Sequence, residues 1–184
     1  MKDKIVLAKE LMYQQTQINK APAWKLTELA VEKGKELAKK YGEDETLIVV
    51  SLYLAHTVFS RVWMGEVQQK HPFLSAEFVQ KFLMHWEIPK EKQKIILNAI
   101  EAHHGDVKAE TKVAEIVKNA ECFKFVTVEG ALIWLHELGI RQIPYEEACD
   151  KVLKKMEQKR KLLTLEECIV EAEKNCLEIR KLFQ

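Results

Sequence analysis

Chain breakers are scarce in this sequence. Its 184 residues include six glycines and four prolines, less than half of the roughly 12% these two types make up in an average protein. An all-β sandwich or barrel needs a glycine- or proline-bearing turn about every 8–12 residues, so that class is excluded. Long apolar runs are missing as well. No stretch of about 18 uncharged apolar residues occurs, and no membrane span is expected. The first residues, MKDKIVLAKELMYQQ, mix charges into their apolar positions, unlike the unbroken apolar core of a signal peptide. The four cysteines, Cys122, Cys149, Cys168 and Cys176, form no CxxC pair, which argues against a zinc knuckle or a thioredoxin-like motif. Cys168 and Cys176 are separated by about 12 Å of rise on one predicted helix, too far for a disulfide. Reduced cysteines in a cytoplasmic protein are the expectation.

Charge of one sign is lacking too. With 29 basic residues against 28 acidic ones, the chain as a whole makes no case for nucleic acid. Locally, Lys151, Lys154, Lys155, Lys159, Arg160 and Lys161 form a basic stretch opposed by Glu157. It has no interleaved aromatics and no recognition-helix motif, and cations near a helix C-terminus are ordinary. What is abundant is apolar: 47% of residues are hydrophobic, which excludes disorder and supports one sizeable core. An all-α, single compact helical bundle is predicted over residues 1–184, without repeat or linker.

The punctuation sets the helices. A first helix is predicted over 3–19, a second from Pro22 to the Tyr41-Gly42 stop, and a third after Glu43-Asp44 through Phe59. The third, LIVVSLYLAHTVF, is apolar on every side and should be the buried centre. A loop around Trp63–Gly65 precedes a helix from about Ser75 to Trp86. Helices then follow from Pro89 to His104-Gly105, over 109–124 and 126–138, and from Pro144 to about Arg160. Thr164 and Glu167 suggest a capping box opening the last helix. There Ile169, Ala172, Cys176, Ile179 and Phe183 form a closing amphipathic face.

Several ionisable groups stand where packing wants hydrocarbon. His56 lies inside the apolar third helix, and an unpartnered buried imidazole costs a few kcal/mol. Val113, Val117 and Glu121 share one i, i+4 line, so the Glu121 carboxylate points along an apolar stripe. His103 continues the stripe of Ile96, Ala99 and Ile100, with His104 beside it. Capping of a helix end also accounts for His103 and His104, and His85 and His136 read as structural. Imidazole and carboxylate together suit manganese, iron, nickel or zinc.

The order of these residues from about Trp24 to Phe125 resembles the HD-domain superfamily of all-helical, metal-dependent phosphohydrolases. Leu54-Ala-His56-Thr57 stands where that family has a His-Asp pair, and His71-Pro-Phe-Leu-Ser75-Ala76 resembles its loop histidine and small-residue helix start. Ile100-Glu-Ala-His103-His104-Gly105 resembles its His-His segment, and Asn119-Ala120-Glu121 its Ala-Asp end. The resemblance implies a core over about 24–125 with a C-terminal helical extension over about 126–184. It also implies one divalent metal and a small phosphorylated partner. The departures are specific. No histidine stands near Leu26-Thr27-Glu28, where the first should fall, and Thr57 replaces the central metal-binding aspartate.

Two ligands, His56 and Glu121, do not suffice for a catalytic metal, which wants three and an open position. The expectation is therefore a degenerate, non-catalytic or strongly altered centre that binds a ligand or packs, with His56 and Glu121 paired. The alternative is a displaced metal held by His56, His71, His103 or His104 and Glu121, hydrolysing a nucleotide or phosphate ester. Arg61 and Lys70 are then the candidates for holding phosphate. A nucleic-acid role through Lys151–Lys161 is the third class.

Overall fold

Among the described residues, which are 2–60, 69–105 and 107–183 of this computed structural model, local signals set nine α-helices and no strand. They are α1 (Lys2–Asn19), α2 (Trp24–Tyr41), α3 (Glu45–Leu54), α4 (His71–His85), α5 (Lys90–Ala102), α6 (Lys112–Phe123), α7 (Val128–Ile140), α8 (Tyr145–Arg160) and α9 (Glu166–Phe183). One 3-10 turn, Lys124–Val126, follows α6 directly. The loop expected around Trp63–Gly65 lies outside the described residues.

Side-chain caps explain several starts. Asp44 accepts from the Thr46 and Leu47 amides at 3.0 and 3.3 Å, a cap worth about 1 kcal/mol. Thr111 and Thr127 do the same for Ala114 and Gly130. Other boundaries differ from expectation. The helix α3 stops at Leu54 instead of Phe59, because the Thr57 hydroxyl donates to the Leu54 carbonyl at 3.1 Å and the Phe59 amide to His56 at 2.9 Å. His56 thus sits in the turns after α3, not inside a helix. The helix α4 begins four residues early, at His71, since Pro72 fits a first turn whose amides need no helical partner. The Thr164 hydroxyl faces Glu115 and Asn119, and α9 starts at Glu166.

The apolar helix is the centre, as its composition requires. Every residue from Leu47 to Leu54 is buried, and α1, α2, α4, α5 and α6 pack around α3. A Leu or Ile fully removed from water there contributes about 1.5–3 kcal/mol. One apolar cluster runs from Ala8 in α1 to Ile179 in α9. The last two helices join it through Val152, Met156, Cys168, Ala172, Cys176 and Ile179, so α9 closes the core on its apolar face. The buried Asn119 amide pins this closure: its Oδ1 accepts from the Thr164 and Leu165 amides at 2.9 and 3.1 Å. All four cysteines are free and buried. No helix among the described residues is long and apolar enough to cross a membrane.

Candidate metal centre

Three separate chain segments deliver imidazoles to one point. His56 comes from the turns after α3, His71 from the first residue of α4, and His103 from the end of α5. The α5 stripe of Ile96, Ala99 and Ile100 carries His103 inward as its spacing predicts. Two residues later Gly105 turns the chain away with φ 89°, a conformation that side-chain-bearing residues avoid. One potential ligand atom from each of His56, His71 and His103 lies within 4.8 Å of the others. His71 Nε2 and His103 Nε2 are 3.2 Å apart, close to the about 3.3 Å edge of a tetrahedron built on 2.0–2.1 Å metal–nitrogen bonds. The His56 and His71 rings stack with centroids 4.9 Å apart, and the His104 ring stands edge-on to His103 at 4.4 Å. His103 is 0%, His71 1% and His56 7% exposed, while His104 is only half-buried.

Hydrogen bonds decide where the protons sit. His103 Nδ1–H donates to the Ile100 carbonyl at 2.5 Å, which leaves its Nε2 lone pair for the centre, the usual way an outer partner orients a metal-binding imidazole. His56 Nε2 is 2.7 Å from Glu121 Oε2, so the neutral ring donates there and keeps an unprotonated Nδ1. Burial holds His56 and His103 below the usual imidazole range, His103 well below it with His56 and His71 adding to the effect. Burial and the neighbouring His103 lower His104 as well. Burial would raise the Glu121 carboxyl, but the Lys124 ammonium and His56 overcome it and hold it well below its normal value. His56, His103 and His104 are therefore neutral imidazoles beside the ionised Glu121 carboxylate.

Lys124 is the partner that completes the charge. Its Nζ lies 2.5 Å from Glu121 Oε2 and 3.4 Å from His56 Nε2. Two buried polar atoms of this group still have no hydrogen-bond partner, His56 Nδ1 and Glu121 Oε1. Unpaired buried atoms cost about 1–3 kcal/mol each, and both are donors of the kind that divalent transition metals accept. By chemistry and spacing, His56, His71 and His103 fit such an ion.

The expected residues divide cleanly. The structure brings His56, His71, His103, His104 and Glu121 together, and His103 is the member of the His-His pair that joins the triad. Thr57 is buried with its hydroxyl turned to its own backbone, and Thr27, where the resemblance wanted a histidine, is buried too. Lys70 is exposed just before α4, and Arg61 lies outside the described residues. His85 and His136 are on the surface. The basic stretch is dispersed: Lys159 is buried, Lys155 lies over the Phe125 and Trp134 rings, and Lys151 and Arg160 pair with Glu147 and Glu157. Sequence reasoning missed Lys124. The signal was present as a lone lysine inside Cys122-Phe-Lys-Phe-Val126, three residues after Glu121, a spacing that makes helix neighbours.

Compared with known proteins, no family model, no curated protein and no solved structure matches this chain.

Proposed function

We propose that His56, His71 and His103 hold one divalent transition-metal ion, drawn from manganese, iron, nickel and zinc, on a divergent HD-domain-like scaffold. We further infer that this cytoplasmic protein uses the centre to bind a small phosphorylated ligand instead of hydrolysing it. One observation carries the metal assignment: three buried imidazoles whose ligand atoms lie within 4.8 Å of one another. The order of His56-Thr57, His71, His103-His104 and Glu121 along the chain supports the scaffold.

The surroundings favour binding over turnover. Glu121 is engaged by both His56 and Lys124, so its carboxylate is not free to act as a base. Thr57 offers a hydroxyl bonded to Leu54 where a hydrolytic site would want a charged ligand. A bound ion would supply Lewis acidity, lowering the pKa of a bound water and polarising a phosphoryl oxygen. His103 holds its ring through Ile100 and His56 through Glu121, while half-buried His104 stands edge-on to His103.

A second reading, a metal-dependent phosphohydrolase, is favoured by the ligand count. Three imidazoles leave a tetrahedral ion one open position, the arrangement of catalytic rather than closed structural sites.

Elemental analysis of protein purified without chelator tests the assignment. About one transition-metal ion per chain is expected, lost in His103→Ala and in His71→Ala. A chain that holds none and takes up none from added manganese, iron, nickel or zinc overturns it. A screen of nucleotides and phosphate esters with added manganese separates the two readings. No turnover supports a binding centre, and turnover abolished by Glu121→Gln replaces it with the hydrolase.

A further inference from the structure

We propose that Lys124 is a tethered cation that occupies the anionic side of the imidazole centre and limits how strongly the centre takes a metal ion. This rests on the metal-binding reading above and adds the residue that regulates it.

The lysine is built into place. Its amide closes the end of α6 onto the Ala120 and Cys122 carbonyls, and the Thr127 hydroxyl donates to its carbonyl at 3.0 Å. A β-carbon at position 130 would collide with that carbonyl oxygen, so only glycine lets α7 start so close. With its backbone clamped on both sides, the side chain runs inward and is 2% exposed.

Its ammonium stands on the Nε2 edge of His56, beside the carboxylate that orients this ring. The ammonium takes Glu121 Oε2 and stands 3.4 Å from His56 Nε2. A lysine serving only to neutralise Glu121 needs contact with the carboxylate alone. Here it also touches an imidazole of the triad, while Glu121 Oε1 and His56 Nδ1 stay without partners. The Glu121–Lys124 pair sums to zero charge, so the ammonium cancels the attraction that this carboxylate would offer a dication, and it repels the ion itself. Such repulsion is strong where little water screens it. Lys159, also buried, adds a further positive charge nearby. Removing the ammonium while keeping the carboxylate leaves an uncompensated anion against the His56 ring of the centre.

The test compares cobalt(II) affinity of the chelator-treated full-length chain, Lys124→Met and Glu121→Gln/Lys124→Met, read from the visible absorption of the bound ion. Lys124→Met is expected to bind about ten-fold or more tightly than the parent, the scale on which partners of metal ligands act. The double variant, which lacks the carboxylate, should return to near the parent value. Equal or weaker binding by Lys124→Met, or equal tightening in the double variant, overturns the proposal. Metal-free Lys124→Met carries an uncompensated buried carboxylate, so its melting is followed with and without cobalt(II). A metal-induced rise in Tm larger than the parent's supports the proposal, and an unfolded variant that the ion does not restore overturns it. The two readings fail separately. A parent that binds no ion while Lys124→Met does defeats the metal assignment for the native chain and leaves the tethered cation standing. A parent that binds as well as Lys124→Met does the reverse.

Discussion

Lys124 and Glu121, three residues apart where α6 ends, form an ion pair whose two side chains are each only 2% exposed. Breaking such a pair from one side strands a buried charge, which costs about 3–5 kcal/mol, whereas replacing both partners costs much less. Glu121→Gln and Lys124→Met should therefore each lower the unfolding free energy by about 3–5 kcal/mol in metal-free buffer. The double variant should lose less than the sum of the singles. Urea denaturation of the four proteins measures the coupling, and strict additivity would contradict the pairing.

The pH dependence of stability follows from the buried imidazoles. His56, His103 and His104 all have their folded-state pKa lowered by burial. Their unfolded forms titrate near 6.5, so below about pH 6.5 the unfolded chain binds protons that the folded chain refuses. Stability should be level above that pH and fall below it, by about 1 kcal/mol per histidine for each unit of pH. Glu121 acts in the same direction lower down, since its depressed pKa removes stability as pH falls below the usual carboxyl value. Urea midpoints of the metal-free protein between pH 8 and 5 are the check, and a midpoint that rises on acidification would refute the assignment of neutral imidazoles.

Asn119 makes four hydrogen bonds, three of which join α6 to the residues that open α9. Its Nδ2 donates to the Glu115 carbonyl and the Thr164 hydroxyl, and its Oδ1 accepts from the Thr164 and Leu165 amides. Asn119→Ala leaves those amides unpaired and should cost about 2–4 kcal/mol. Hydrogen exchange should accelerate first at residues 164–169, ahead of α3. Unchanged protection there would show that the closing helix is held by its apolar face alone.

Gly130→Ala should be poorly tolerated, because the methyl would meet the Lys124 carbonyl oxygen. Overpacking of this sort costs about 1–3 kcal/mol, and here the displaced residue belongs to the centre. A fall in Tm is expected together with altered metal affinity. Gly139→Ala, where a β-carbon meets open space, is the matched control and should leave both unchanged.

Much of the candidate site is legible in the amino-acid order. His56, His103 and Glu121 stand out because helical periodicity places each among apolar neighbours, and an ionisable group in that position is costly unless partnered. The pairing of His56 with Glu121 follows from the same cost and is found at 2.7 Å. Lys124 escaped because a lysine one turn beyond an acid is ordinarily a solvated surface pair. Only the burial of that turn against the 3-10 corner makes it an internal cation. The basic stretch of α8 is less continuous than its sequence suggests, because Met156 and Lys159 share the buried face.

Composition and periodicity alone determined the all-helical class, the central place of the α3 segment and the amphipathic closure by α9. Each depends on spacing within a single element, where one residue's neighbours are fixed by 3.6 residues per turn. Which imidazoles converge was decided only in three dimensions. His56, His71 and His103 lie on segments separated by up to 47 positions, and no local rule sets the distance between a turn after α3, the start of α4 and the end of α5. The protonation pattern was also decided there. Ile100 orients one ring, Glu121 another, and Lys124 supplies the charge that keeps Glu121 ionised in a setting too dry to do so by itself.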